Sequence, residues 1–238
     1  MLGALGFLTV AGPARRPRPA ALVWFPVVGA AIGAVVGLVW WGASAAWRGP
    51  LVPAALAVVA DLVVTGLLHV DGLADSADGL LGHLSRERRL AVMSGPEIGA
   101  FGLAVTVAVL VVRFASFAQL RPEVALVAGL WCLSRSVMVG AMLVLPYARG
   151  PRGLAAAFLG GGRAAPGLAA AAGAGAGAAL AIFSGGAPAA GGVGAGVLLP
   201  VGLLLLARRR LGGFTGDVLG ASVVLSETAA LLVSGIRW

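Results

Sequence analysis

The chain has 238 residues, of which 60% are hydrophobic and only 11% carry a charge. Water-soluble domains carry roughly 25% charged residues, so this composition excludes a protein whose whole surface faces water. The positive side chains are all arginines, and they fall in short clusters between apolar stretches, as in membrane-protein loops. Composition therefore predicts one all-α, polytopic transmembrane helical bundle over residues 1–238, with a lipid bilayer and not nucleic acid as its partner.

The apolar stretches divide the chain into segments of two lengths. The first, residues 1–12, is shorter than the roughly 20 residues that a crossing takes, and we interpret it as an interfacial segment. Seven longer stretches are predicted as spanning helices: 22–46, 51–70, 100–119, 123–145, 165–184, 192–207 and 216–236. The fifth and sixth lie in a glycine- and alanine-rich region, where small residues favour a closely packed helical pair in lipid.

The distribution of arginine predicts the orientation of these spans. With the amino terminus inside, the inner segments hold Arg15, Arg16, Arg18, Arg86, Arg88, Arg89, Arg149, Arg152, Arg163, Arg208, Arg209 and Arg210. The outer segments hold only Arg48, Arg121 and Arg237. Cytoplasmic loops carry such an excess, so we expect a multi-pass protein of the inner (cytoplasmic) membrane with a cytoplasmic amino terminus. The polar loops 71–99, 146–163 and 208–216 then share the cytoplasmic face, where we expect the active site.

An acidic cluster is the strongest chemical signal in the chain. Asp71, Asp75 and Asp78 are three of its nine carboxylates and lie within eight residues. On a helix, their spacing places all three on one face, where they repel one another unless a cation lies between them. Oxygen ligands suit a hard ion such as Mg²⁺, so we interpret 61–83 as an acidic metal loop. The alternatives are a solvated acidic helix end and a calcium-like structural loop.

Polar residues also occur inside the predicted spans. Asp61, Thr65 and His69 recur every four residues and lead to Asp71. Ionisable groups in a span usually face the bundle interior, so Asp61, and Glu227 in the last span, are functional candidates. Pairing of these two acids with Arg113 or Arg135 is the structural alternative. His69 is a candidate metal ligand, catalytic base or helix-end hydrogen-bond donor, and the sequence does not rank these roles.

Two further segments are candidates for binding phosphate. The segment 208–221 contains the glycine-rich run G-G-F-T-G-D before a predicted helix, and such a helix start offers N–H groups to an anion. Within it, Gly213, Thr215 and Gly216 are candidate phosphate ligands, and Asp217 is either an additional metal ligand or an acid that complements the helix dipole. The segment 146–154 carries Arg149, whose guanidinium group suits phosphate oxygens, although inner loops are rich in arginine in any case.

Taken in order, these segments resemble the cobalamin synthase family, the adenosylcobinamide-GDP ribazoletransferases. The resemblance covers nearly the whole chain, from G-F-L-T near the start and W-F-P-V-V-G-A-A-I-G to R-E-R-R-L-A-V-M, I-G-A-F-G, L-S-R and P-Y-A-R. Its most specific part is H-V-D-G-L-A-D-S-A-D-G at 69–79, followed at a distance by T-G-D-V-L-G-A at 215–221.

The resemblance implies a Mg²⁺-dependent transfer that completes the nucleotide loop of cobalamin. A ribose hydroxyl of α-ribazole, or of its 5′-phosphate, attacks the cobinamide-side phosphate of adenosylcobinamide-GDP, and GMP leaves. By this resemblance Asp71, Asp75 and Asp78 are the metal-binding and catalytic acids, with His69 and Asp217 beside them. Arg135, of the L-S-R piece, joins Arg149 as a candidate substrate ligand.

The resemblance implies the partners of the protein, and residue patterns suggest two rival functions. The expected partners are the corrinoid nucleotide, α-ribazole and the bilayer, while a homo-oligomer or association with other nucleotide-loop assembly enzymes is left open. One rival is a CDP-alcohol phosphotransferase, which also sets aspartates at helical spacing, although its D-G-x-x-A-R signature differs from D-G-L-A-D here. An ion-coupled transporter is the rival from another class, because Asp61, Glu227, Arg113 and Arg135 lie within predicted spans.

Overall fold

The computed structural model describes residues 1–11, 18–149 and 153–236. Arg15, Arg16, Arg152 and Arg237, which contribute to the predicted orientation, lie outside this part of the chain. Within it there are nine α-helices: α1 (Leu2–Leu8), α2 (Phe25–Ala46), α3 (Leu51–Thr65), α4 (Leu68–Leu81), α5 (Arg86–Val92), α6 (Ala100–Gln119), α7 (Val124–Val144), α8 (Ala164–Leu211) and α9 (Gly216–Ser234). Short 3₁₀ turns at Pro19–Trp24 and Leu154–Phe158 complete the secondary structure of these residues. The predicted all-α fold is confirmed.

Five helices in the described ranges are long and apolar enough to cross a membrane, or six if the bent pair α3–α4 counts as one span. Large apolar side chains cover their outer surfaces, and Phe183, Val144 and Leu198 are between 73% and 92% exposed. Such a surface is stable in lipid and not in water. The chain is therefore a membrane protein, and the predicted number of seven crossings stays a prediction.

The structure has five or six candidate crossings and the sequence predicted seven, and α8 accounts for most of this difference. This helix is 48 residues long and contains non-helical backbone at Gly186. Its first half packs against α7, with Gly173 beside Ser136 and Gly185 beside Leu126. The second half packs against α9, with Gly192 beside Ser234. Both packings are antiparallel, and α7 ends where α9 begins, so the two halves run in opposite directions. They correspond to the predicted stretches 165–184 and 192–207.

The α7 helix forms the centre of the bundle and is buried along most of its length. Helices α2, α8 and α9 surround it. Glycines on α2 allow the close approach, because a Cβ atom added at Gly33 would lie 2.6 Å from the carbonyl oxygen of Val127. Small residues at such contacts let membrane helices pack backbone to backbone.

A right-angle bend separates α3 from α4. Gly66 and Leu67 both adopt left-handed backbone conformations, with φ angles of 59° and 63°. Two such residues in succession end a right-handed helix, and a left-handed leucine stores strain that the surrounding fold must offset. The bend of 90° turns α4 away from the crossing direction of α3. The predicted span 51–70 is therefore helical only to Thr65 before the bend, and α4 carries the acidic cluster across one end of the bundle.

Candidate active site

A cavity of about 260 Å³ opens where α4 meets the end of α7 and the start of α9. It is lined by residues from α1, α4, α7 and α9 and from the segment that follows α7: Phe7, Leu68, His69, Asp71, Met138, Tyr147, Arg149, Gly153, Ala155, Gly216, Asp217 and Gly220. The three polar loops of the sequence analysis thus meet at one place.

The cavity depends on a close approach between α4 and α9. A Cβ atom added at Gly72 would lie 2.7 Å from the backbone carbonyl oxygen of Asp217, and one added at Gly220 would lie 3.2 Å from the Cα atom of His69. Thr215 fixes the start of α9, because its hydroxyl accepts a hydrogen bond of 3.2 Å from the backbone N–H of Val218. This packing sets the distance between Asp217 and the acids of α4.

Gly72→Ala should therefore lower turnover by about 10- to 100-fold, because the added methyl group must push α4 away from α9 and displace the acidic residues. The initial rate of the membrane-reconstituted variant is the measurement. Gly140→Ala is the matched control, since a Cβ atom added at that α7 glycine meets no atom within 4 Å. Equal rates for the two variants would contradict this role of the α4–α9 contact.

Asp71, Asp75 and Asp217 form an acidic group at this contact. Asp71 is exposed and Asp75 is partly buried. Burial, with the nearby negative charges of Asp217 and Asp71, raises the pKa of Asp75 to about 7. A carboxyl group with so high a pKa is one whose negative form lacks compensation, and a bound cation would supply it.

Arg149 provides part of that compensation. Its guanidinium Nη2 donates to Asp217 Oδ2 at 2.8 Å and to the carbonyl oxygen of Met93 at 2.9 Å. The Arg149 Nε atom is buried without a hydrogen-bond partner among the described residues. Arg149 thus reaches the cavity from the 146–149 segment and retains a donor, as expected of the predicted phosphate ligand.

The third acid of the cluster, Asp78, has a different environment. Its two carboxylate oxygens accept hydrogen bonds from the backbone N–H groups of Gly99, at 2.7 Å, and Gly102, at 2.9 Å. These N–H groups begin α6, so Asp78 caps that helix. Asp78 therefore has a helix-capping role that Asp71, Asp75 and Asp217 do not share, although its charge also acts on Asp75 and all three acids of α4 were predicted as metal ligands.

His69 and Arg135 are both buried, and only His69 lines the cavity. His69 is 4% exposed, and its Nε2 atom has no hydrogen-bond partner in the described part of the chain. Burial, and the positive charges of Arg135 and Arg113, lower the pKa of His69 well below its ordinary value, so the imidazole is neutral. Arg135 is fully buried and is not among the cavity-lining residues, although it was predicted to bind substrate.

Arg135 instead belongs to a buried ionic network in the middle of the bundle. It pairs with Glu227, which accepts a second bond of 3.0 Å from Arg113, and Arg113 also pairs with Asp61. The Trp131 indole Nε1 donates to Asp61 at 2.9 Å. The structure thus shows the structural alternative for Asp61 and Glu227, in which both acids pair with these arginines. The ionisable side chains that a transporter pathway would need are therefore paired with one another inside the bundle.

The remaining predicted phosphate ligands have unequal positions. Gly216 lines the cavity, whereas Thr215 is buried as the cap of α9. Gly213 packs against the carbonyl group of Pro146, where the 212–214 and 146–148 segments exchange backbone hydrogen bonds. Sequence reasoning missed Phe7, Met138 and Tyr147 as cavity residues, although Phe7 and Tyr147 lie in the conspicuous G-F-L-T and P-Y-A-R pieces.

The acids around Asp75 suit a hard cation in their chemistry but are not gathered as a ligand shell. Among the described residues, no group of three or more His, Cys, Asp or Glu side chains is arranged to hold a metal ion. Asp217 is engaged with Arg149, and Asp78 with α6. The oxygen-only donors and the raised pKa of Asp75 nevertheless fit Mg²⁺, which is held through few carboxylates together with substrate phosphates.

The sequence of the chain is similar to those of known proteins. The family model described as cobalamin-5-phosphate synthase matches residues 1–235. The chain belongs to this family. The match to the cobalamin-5-phosphate synthase family covers every segment that lines the cavity, from Phe7 to Gly220.

Individual relatives in the cobalamin-5-phosphate synthase family carry the name adenosylcobinamide-GDP ribazoletransferase. The protein of Leptothrix cholodnii is 38% identical over 225 residues, which cover 87% of this chain and 81% of the relative. The protein of Chlorobaculum tepidum is 34% identical, with 100% and 96% covered. The protein of Azorhizobium caulinodans is 39% identical, with 87% and 80% covered. No solved structure matches the chain.

Proposed function

We propose that this membrane protein is an adenosylcobinamide-GDP ribazoletransferase, the activity that its relatives' names describe. A ribose hydroxyl of α-ribazole, or of its 5′-phosphate, attacks the cobinamide-linked phosphorus of adenosylcobinamide-GDP. A new P–O bond forms, the diphosphate P–O bond breaks, and GMP leaves while the hydroxyl proton passes to a base. The supporting observation is the convergence of Asp71, Asp217 and Arg149 at one cavity, with Asp75 close to the charges of Asp71 and Asp217.

The residues around the cavity support distinct roles in this reaction. Arg149 binds phosphate oxygens through the guanidinium group that now pairs with Asp217. Asp71, Asp75 and Asp217 would hold Mg²⁺, which, when bound, neutralises the charge of the diphosphate. His69 lines the cavity, and its Nε2 atom, which has no hydrogen-bond partner among the described residues, can accept a hydrogen bond from the substrate. Phosphoryl transfer depends mainly on such positioning and neutralisation.

The arginine distribution supports the membrane placement within this proposal. The cavity lies at the end of the bundle that carries Arg86, Arg89, Arg149 and Arg210. These guanidinium groups bind the backbone carbonyl oxygens of neighbouring segments: Arg86 contacts Leu211 and Ala148, and Arg89 contacts Gly79 and Leu80. An arginine-rich end faces the cytoplasm under the positive-inside rule, so the active site opens to the cytoplasm from the inner membrane.

Release of GMP from adenosylcobinamide-GDP by the purified protein in lipid nanodiscs tests the proposal. We expect release that requires both α-ribazole and Mg²⁺, with a stoichiometric corrinoid product. Absence of GMP release under these conditions would overturn the proposed activity. Flux of ions in proteoliposomes without GMP release would favour a transporter instead.

A further inference from the structure

We propose that the cavity bounded by Phe7 binds the aromatic base of α-ribazole and not the corrinoid or guanine parts of the other substrate. This inference rests on the proposed function and specifies which substrate part occupies the site. The residues that line the cavity are of two chemical kinds. His69, Asp71, Tyr147, Arg149 and Asp217 carry polar groups, whereas Phe7, Leu68 and Met138 are apolar.

Cavity size restricts the occupant. Its volume of about 260 Å³ lies just below the roughly 300–1,000 Å³ of pockets that enclose a drug-sized ligand. A bicyclic base with its ribose is smaller than such a ligand, whereas a corrin macrocycle with its side chains is much larger. The corrinoid must therefore stay outside, with only its phosphate end near the acids.

The apolar residues of the lining favour one of the two bases in the substrates, which are guanine and the base of α-ribazole. Guanine has several donors and acceptors on its edges, and their burial against apolar side chains costs free energy unless hydrogen bonds replace water. The Phe7, Leu68 and Met138 side chains offer no such hydrogen-bonding groups. Dimethylbenzimidazole, the base of α-ribazole, presents methyl groups and one ring nitrogen acceptor, so the same side chains accept it without this loss. An α-ribazole oriented in this way directs its ribose toward Asp71 and Asp217.

Phe7 is held in place by other aromatic rings. Its ring centroid lies 4.8 Å from that of Phe158, in an edge-to-face arrangement, and 5.9 Å from that of Phe25, in a stacked one. Helix α1 is anchored beside this cluster through Ala4 and Leu8, both of which are fully buried. A ring fixed before the ligand arrives offers a planar base a contact surface at little cost in conformational entropy. The segment predicted to be interfacial thus contributes a wall of the cavity.

Steady-state kinetics of Phe7→Ala and Phe7→Leu test this assignment. We expect the KM for α-ribazole to rise about tenfold in Phe7→Ala, and less in Phe7→Leu, while the KM for adenosylcobinamide-GDP stays within about twofold of wild type. Phe7→Ala should also lose the preference for α-ribazole over an α-riboside that carries a purine base. Phe117→Leu is the matched control, because Phe117 is a buried aromatic residue that packs against Trp40 and Trp131 and does not line this cavity. It should not change the ratio of the two KM values.

A rise confined to the KM for adenosylcobinamide-GDP, or unchanged KM values in Phe7→Ala, would overturn the assignment. Calorimetric titration of α-ribazole into wild type and Phe7→Ala, without the corrinoid, separates this inference from the proposed function. Weaker binding in the variant supports the base site whether or not GMP is released. Equal affinities would contradict it even if the wild-type protein proves to be the proposed transferase.

Discussion

Asp75→Asn should reduce the rate of GMP release at least about a hundredfold while the protein still inserts and folds. The substitution preserves the shape of the side chain but replaces a carboxylate with a neutral amide, which is a weaker ligand for a hard cation. The variant should still fold, because Asp75 is only partly buried. Burial and the charges of Asp217 and Asp71 also disfavour the negative form of Asp75, so its replacement by a neutral amide removes no stabilising charge. Release of GMP in lipid nanodiscs, with the monodispersity of the purified variant, measures both effects.

Asp78→Asn is the matched control for this prediction. It makes the same chemical change one helical turn away, at an acid that caps α6 through Gly99 and Gly102. The amide retains one acceptor oxygen, so we expect a loss of about 1 kcal/mol of stability and turnover within about tenfold of wild type. An equal loss of turnover in both variants would show that Asp78 also acts in catalysis. Wild-type turnover in Asp75→Asn would remove Asp75 from them.

Arg113→Ala should destabilise the bundle by roughly 3–5 kcal/mol, because it leaves two buried carboxylates without this partner. Arg113 is fully buried, pairs with Asp61 and Glu227, and donates to the hydroxyl of Thr228 at 2.9 Å. Its guanidinium carbon also lies 5.5 Å from the centre of the Trp131 ring. Removal of the arginine therefore affects α3, α7 and α9 together.

The thermal unfolding midpoint of purified Arg113→Ala in detergent measures this effect. Val111→Ala is a suitable control, because Val111 is on the same helix and 58% exposed on the outer surface. A large fall in the midpoint for the arginine variant alone is the expected result. Midpoints that match in the two variants would show that the network contributes little to stability.

The sequence predicted the long helices well because an apolar run of sufficient length has few alternatives in lipid. The prediction 100–119 coincides with α6, and 123–145 differs from α7 by one residue at each end. The bend at Gly66 and Leu67 was not predicted, because leucine rarely adopts a left-handed conformation and hydropathy is unaffected by it. Tertiary contacts surround the bend, since Val10 lies beside Gly66 and its backbone N–H donates to the carbonyl oxygen of Val64 at 3.0 Å.

The candidate site was predictable where chemistry was concentrated in short motifs. Asp71, Asp217, Arg149 and Gly216 meet at one cavity, as the common loop face suggested. Helical spacing placed Asp78 on a face with Asp75, but spacing alone does not show which helix start that face meets. Arg135 was similarly ambiguous, since a buried arginine suits either a substrate phosphate or Glu227. Phe7 lies in the G-F-L-T piece, but an apolar side chain in an apolar segment does not by itself indicate a cavity wall.

Binding of Mn²⁺, used as a paramagnetic substitute for Mg²⁺, tests most directly whether Asp75 and its neighbours hold a divalent cation. Electron paramagnetic resonance would follow titration of the nanodisc protein in the presence of adenosylcobinamide-GDP. We predict that wild type and Asp78→Asn bind the ion with similar affinity and that Asp75→Asn binds it at least about tenfold more weakly. Equal affinity in Asp75→Asn and wild type would contradict the account.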